Sequence, residues 1–343
     1  MLKTIFCIAK NLQKAFKHPE NTIKRLYREE NGGGVCYIDL RCNCLFSKGD
    51  VLLEMMKIKT ENVLCIILAC SAIFCSLIGL FYSDDGVPFI VNNVYGQQVE
   101  LYGKGIYAYN STLTVSSRLG ADWIGIIGGL FLIFLCFNKR KKLWMNILKT
   151  AQCATFVYYF ACLTFSISMN RLYLLYVFGF GLSVLLSIHL LSKHFKQLMV
   201  KEEGKVNRNA GISRCLAISG AITIVIWLSM LVPHLISQNY GELVGVLTTE
   251  VTYAIDLGVL CPFMIICSIW IRKKNDNGYK LAPILLYILF SVAPMVILQN
   301  LYCLKLGITV PVPAFIGTVL SFVVMGSFAI IYLRKSISLL KEI

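Results

Sequence analysis

The sequence predicts an all-α protein whose chain crosses a membrane eight times as a polytopic transmembrane helix bundle. Three observations carry this. Of the 343 residues, 57% are hydrophobic and only 15% charged, more apolar surface than a soluble domain of this length can bury. The apolar residues gather into eight runs, each near the roughly 20 residues that cross a bilayer. The basic residues alternate with those runs: most of the 33 Lys and Arg fall in every second connection or in the end segments, with Lys104, Arg118, Arg171 and Lys305 among the exceptions. This positive-inside pattern predicts a multi-pass cell-membrane protein with both termini in the cytoplasm. The same distribution excludes nucleic acid as the expected partner despite a net charge of +15, and leaves the lipid bilayer.

Residues 1–61 read as a basic cytoplasmic tail, 62–335 as the transmembrane domain and 336–343 as a second cytoplasmic tail. In the first, Ile5, Ile8, Leu12 and Phe16 recur at helical spacing opposite Lys3, Lys10, Lys14 and Lys17. Two readings stand: an amphipathic helix on the inner leaflet, ended near Pro19, or a solvated tail. The apolar part of this stretch is short and interrupted by lysine, so no cleavable signal peptide is expected. Asn31-Gly-Gly-Gly34 lacks the Lys-Ser/Thr ending of a phosphate-binding loop. Cys36, Cys42 and Cys44 do not have the spacing of a structural zinc site, and no metal or cofactor is expected. Met55 and Met56 offer an alternative translation start just before the first span.

The spans are expected at 62–82, 119–138, 144–168, 171–192, 213–236, 250–271, 279–301 and 311–333. The basic inner connections are Lys139–Lys142, Lys193 through Arg214, and Arg272–Lys274, and the end carries Arg334, Lys335 and Lys341. The one long outer segment, 83–118, alternates apolar and polar residues. It predicts a small β-hairpin, Val99–Tyr102 with Ile106–Thr112, joined by Gly103-Lys-Gly105. Asn110-Ser-Thr112 fits a glycosylation sequon on that side. Of 14 cysteines, most lie in spans, where they read as small apolar side chains, and Cys303 alone falls near the outer face.

The chain carries an internal correspondence. Leu113-Thr114 precedes Asp122 by nine and eight residues, and Leu247-Thr248 precedes Asp256 by the same intervals. Asn170-Arg-Leu-Tyr173 and Asn300-Leu-Tyr302 occupy matching outer turns. The expectation is a 4+4 tandem repeat of spans 1–4 and 5–8, the halves related by an axis along the membrane normal.

A carboxylate inside a span is expensive and marks function or pairing. Glu250 and Asp256 lie in the sixth span, with Tyr253 three residues before the aspartate and Thr252 four before it, on its face. Pro262 cannot donate to the carbonyl of Gly258, which predicts a break there. A carboxylate beside a freed carbonyl suits a cation or a proton relay. Arg171 is the expected counter-charge, Asp122 the second acid, and Pro233-His234 a pH-sensitive neighbour. The ligand- or ion-binding candidates are therefore Asp256, Asp122, Glu250, Arg171, Tyr253 and Gly258. The competing reading is structural pairing of these groups.

No Gly-x-Ser-x-Gly, His-Glu-x-x-His or Walker lysine is present, so no catalytic residue is assigned. Asp84-Asp85, directly after the first span, resembles the acidic first outer loop of membrane glycosyltransferases that use polyprenyl-phosphate sugars. Leu101-Tyr-Gly-Lys-Gly-Ile-Tyr107, Asn170-Arg-Leu-Tyr173 and the run from Thr248-Thr249 through Asp256-Leu-Gly258 resemble uncharacterised bacterial eight-span membrane proteins. That resemblance implies a fold and a membrane location, and no activity. The leading expectation is binding or transport of a small solute or cation at an outward-facing acidic site. The alternatives are a glycosyltransferase-like enzyme and a non-transporting assembly or sensor protein.

Overall fold

A computed structural model describes residues 41–138, 142–201, 210–308 and 312–343, with backbone alone for 41–59 and 312–316. The expectations for residues 1–40 lie outside the described residues. By its contacts the chain divides into Met1–Met56 and Lys57–Ile343, and the helix bundle belongs to the second unit.

Among the described residues eight long helices succeed one another: α1 (Arg41–Phe81), α2 (Thr112–Phe137), α3 (Leu143–Phe165), α4 (Tyr173–Gln197), α5 (Ala210–Ser237), α6 (Val251–Arg272), α7 (Asp276–Lys305) and α8 (Val312–Ser338). Among the described residues, seven are long and apolar enough to cross a membrane, α1 through its part Thr60–Phe81 and α8 through Gly317–Ser338. The exception is α3. Its 23 residues reach about 34 Å at 1.5 Å each, but it carries Lys149, Gln152, Tyr158 and Tyr159. Those side chains are not set against lipid. Helix α3 packs on α2, α4 and α7, and Lys149, Gln152 and Tyr159 are all buried.

The bundle is centred on α3 and α7. In α7, 67% of the most apolar stretch is buried, against 28% in α5 and in α8. The peripheral helices turn large apolar side chains outward in rows, such as Ile127, Leu130, Phe134 and Phe137 on α2 and Leu320, Val324, Phe328 and Ile331 on α8. Rows of this kind are not left in water by a soluble monomer; they are what lipid covers. The chain is a helical membrane protein.

Local chemistry sets the helix ends. Ser111 caps α2, its Oγ accepting from the Thr114 N–H at 3.3 Å, so the helix starts seven residues before the first apolar run suggests. Asn275 caps α7 in the same way through the Asn277 N–H at 2.9 Å. At the far end of α7 the Ile308 N–H bonds the Cys303 carbonyl, with Gly307 at φ 75°, a Schellman close.

The hairpin is displaced from its expected position. Strand β1 (Phe89–Asn92) pairs antiparallel with β2 (Gln98–Leu101), Phe89 opposite Leu101, around an Asx turn. In that turn the Asn93 side-chain oxygen accepts from the Tyr95 and Gln97 N–H groups. The residues expected to form the second strand instead make a 3-10 turn, Gly105–Tyr107, followed by the start of α2. The reason is packing at Gly103. It sits at φ 74°, and a Cβ there would stand 1.9 Å from the Val87 carbonyl oxygen, so the chain runs close against residues 87–88. The chain still turns back after it, the Tyr102 and Gly103 N–H groups bonding the Asn110 and Ala108 carbonyls at 2.9 Å each, but the expected pairing is reduced to one bridge, Leu101 with Ser111.

The sequon is also corrected. Asn110 is 1% exposed; its amide donates to the Tyr107 carbonyl and its oxygen accepts from the Ser168 N–H, which leaves no room for a glycan. The hairpin grips the α5–α6 connection. Asn93 donates to the Gly245 carbonyl at 3.1 Å, Tyr95 OH to that of Thr248 at 3.0 Å, and Gln97 to the Asn239 side chain at 2.7 Å. At the opposite end of the bundle, β3 (Leu198–Val200) pairs antiparallel with β4 (Leu340–Glu342).

Asp84 holds the start of this loop. Its Oδ1 accepts the Gly105 N–H at 2.9 Å and the Gly86 N–H at 3.3 Å, and these bonds, Gly105 first, hold its carboxyl below the usual range. A depressed carboxylate stabilises the fold above its unfolded pKa and loses that contribution as pH falls through the folded value. Protection of the Gly105 amide from hydrogen exchange is therefore expected to hold at neutral pH and to weaken below about pH 4. Asp84→Asn should remove that pH dependence.

Candidate functional site

A cavity of about 220 Å³ lies among the helices at the hairpin end of the bundle. Arg118 and Ser117 reach it from the first two turns of α2, and Glu250, Thr252, Tyr253 and Asp256 from the first two turns of α6. Tyr158 of α3, Trp227 of α5 and Gln299 of α7 complete its polar and aromatic wall.

Close approach of α2 and α7 brings these groups together. A Cβ on Gly120 would stand 2.4 Å from the Gln299 backbone nitrogen, so only glycine permits the crossing there. The Gln299 amide donates to the Ser117 carbonyl at 3.1 Å beside it. On the other wall, Glu250 caps α6. It accepts from the Thr252 N–H at 3.2 Å, the Thr252 hydroxyl at 2.7 Å and the Ser166 hydroxyl at 2.7 Å. Ser166 also accepts the Val251 N–H at 3.1 Å, joining the end of α3 to the start of α6.

The expected irregularity in α6 is a π turn, Asp256–Leu260, in which the Cys261 N–H reaches the Asp256 carbonyl. It falls just before Pro262, which offers no N–H. One extra residue in a turn rotates the residues before it by about 100° relative to those after it. That rotation belongs to Asp256. The aspartate is 7% exposed, accepts the Trp227 indole N–H at 2.9 Å and neighbours the Tyr158 hydroxyl. The Trp227 and Tyr253 rings meet edge to face at 5.0 Å beside it.

The cation of the cavity is Arg118. It is 7% exposed, its Nε has no hydrogen-bond partner, and among the described residues no carboxylate stands within 4.0 Å of its guanidinium. A second void of about 30 Å³ continues from Arg118 and Tyr158 along α3 towards Thr155 and Gln152. Gln152 accepts from the Tyr287 hydroxyl. Further along α3, Lys149 bonds Glu61 and Asn62; Glu61 also meets Lys193 at 3.0 Å and His189 at 3.5 Å. A void of about 30 Å³ lies beside this cluster at the opposite end of the bundle.

Of the residues singled out in the sequence, Asp256, Glu250 and Tyr253 meet at the cavity, and Asp122, Arg171 and Gly258 do not. Asp122 is wholly buried in a knot of its own, taking the Tyr107 and Tyr159 hydroxyls at 2.9 Å each. Tyr159 in turn bonds Ser76 at 2.7 Å. Arg171 is exposed in the turn before α4, and Gly258 faces open space on the outside of α6. His234 does not line the cavity; it bonds the Met230 carbonyl and Glu242. Asp84 is engaged by two backbone N–H groups. Arg118 was missed because the second span was expected to begin at 119, which left it in the outer loop. The signal was present: Ser111, three residues before Thr114, is a helix cap, and a start at Thr112 puts Arg118 two turns inside.

Compared with known proteins, the chain matches no family model, no curated protein and no solved structure. The cavity is the feature that bears on its function.

Proposed function

We propose that this chain is a carrier of small solutes, eight-spanning with both termini in the cytoplasm, and that the cavity beside Arg118, Glu250 and Asp256 is its solute site. The observation that carries the reading is the meeting of three ionisable side chains from two helices in one cavity of about 220 Å³, far above the ~30 Å³ of a single water. Charged side chains at this depth are costly, and cluster where a polar pathway runs. The polar groups of α3 support translocation rather than binding alone. Tyr158, Thr155, Gln152 and Lys149 form a line from the cavity towards the Glu61 cluster at the other end.

Counting α3 as a span makes eight, and the basic connections then all fall on one side. The tandem repeat has support in the pairing order. In the first half α2 packs on α3 and α3 on α4; in the second, α6 packs on α7 and α7 on α8, with α3 against α7 between them. The repeat is unequal in chemistry, since Asp256 lines the cavity and Asp122 does not. The glycosyltransferase alternative has no such support, because Asp84 is used by the loop backbone.

The test is solute exchange by the purified protein in sealed vesicles, with amino acids, acetate, methylammonium and Na⁺ as probes. Saturable exchange of at least one probe is expected, and Asp256→Asn should reduce it by about thirtyfold or more. Binding without exchange would favour the sensor reading, and neither binding nor exchange would remove the cavity as a solute site.

A further inference from the structure

We infer that the cavity takes a small zwitterion, an amino-acid-like molecule with its carboxylate on Arg118 and its cationic nitrogen beside Asp256. This rests on the cavity being a solute site, and adds the class of solute.

The first argument is the state of Arg118. A guanidinium is always charged and carries five donors in a planar fork that matches a carboxylate. Here it is 7% exposed, it borders both the main cavity and the smaller void, and its Nε has no partner. The Cys162 thiol bonds the guanidinium, and Glu250 and Asp122 act on its charge from a distance, but among the described residues no carboxylate lies within 4.0 Å to form the direct ion pair that ordinarily offsets a buried cation's desolvation. Neither neighbouring acid supplies it: Glu250 gives its Oε1 to the Ser166 and Thr252 hydroxyls and the Thr252 N–H, and Asp122, one turn further along α2, takes the Tyr107 and Tyr159 hydroxyls.

The second argument is the opposite wall. Asp256 keeps acceptor capacity beyond the Trp227 bond, since a carboxylate offers about four lone-pair sites. Beside it stand the Trp227 and Tyr253 rings, 5.0 Å apart, and aromatic rings attract organic cations. A carboxylate with two aromatic neighbours is suited to an ammonium group.

Charge decides between solute classes. A simple anion drawn to Arg118 would share the cavity with Glu250 and Asp256, and a simple cation drawn to Asp256 would share it with Arg118. A molecule carrying both signs meets an opposite charge at each end. Glu250, held by neutral hydroxyls, sets the side of the cavity from which an anionic end is repelled.

The experiment is equilibrium binding to the full-length protein in detergent, with the common amino acids, glycine betaine, acetate and methylammonium as separate probes. At least one zwitterion is expected to bind about thirtyfold or more tighter than acetate and methylammonium. Arg118→Gln should abolish zwitterion binding, and Arg118→Lys, which keeps the charge and loses the fork, should weaken it by about tenfold. If Arg118→Gln does not fold, competition on the unaltered protein decides: acetate and methylammonium should each displace the bound zwitterion. Failure of either to displace it overturns the inference. Methylammonium or acetate binding as tightly as any zwitterion overturns the zwitterion and leaves the cavity as a solute site. No binding of any probe to the folded protein overturns both.

Discussion

Replacing Glu61 by leucine is expected to destabilise the bundle by about 3–5 kcal/mol, a large share of the net stability of an ordinary folded domain. Glu61 is 6% exposed and Lys149 8%, and the carboxylate is shared by Lys149, Lys193 and His189. Removing it leaves the Lys149 ammonium inside the helix bundle with only the Asn62 side-chain oxygen at 3.2 Å. Removing both charges is a different case. Glu61→Leu with Lys149→Met takes out the buried pair as a unit, and most of the lost stability should return, because an apolar pair of similar volume avoids two desolvations. Unfolding by denaturing detergent, followed by loss of protease resistance, measures both. Equal loss in single and double variants would mean that the contribution of Glu61 is packing and not charge.

The second expected result separates the two aspartates that the sequence pairs. Asp122→Ala should destabilise the protein by about 1–3 kcal/mol for each of the two tyrosine hydroxyls left without an acceptor. Asp122→Asn keeps one acceptor oxygen and should cost clearly less. Neither change touches the cavity lining, so solute exchange by folded Asp122→Asn protein should remain close to that of the unaltered chain. Asp256→Asn should show the reverse, with the fold intact and exchange lost. If Asp122→Asn abolished exchange as well, both acids would belong to one site and the separation drawn from the structure would be wrong.

These contrasts also show what the sequence made legible. Helix positions were readable because a bilayer demands a long apolar run, and even α3, polar for a span, stood out by its length after the basic connection Lys139–Lys142. Asp256 was readable because a carboxylate among Ile255, Leu257 and Val259 has few innocent explanations. Gly258–Pro262 was readable because proline lacks an N–H. What was hidden depends on contacts between distant segments. That Asp122 is sealed by Tyr107 and Tyr159 requires knowing that the 3-10 turn folds onto α2 and α3. That residues 89–92, and not 106–112, supply the main partner of Gln98–Leu101 could not be shown by alternation alone. Arg118 was hidden for a local reason. Hydropathy dates a helix from its first apolar run, whereas Ser111 starts α2 two polar turns sooner, and an arginine in those turns is read as loop.

The grip of the hairpin on residues 239–248 links two events that look separate. The connection held by Asn93, Tyr95 and Gln97 leads within a few residues to Glu250 and the first turn of α6. A rearrangement that moved the first turn of α6 would pull on the bonds that tie this connection to the hairpin. By thermodynamic reciprocity, whatever favours one conformer of the hairpin favours the matching conformer of the cavity to the same degree. Surface loop and buried charges would thus share one conformational equilibrium, and the loop is a handle on the interior that can be reached without entering it.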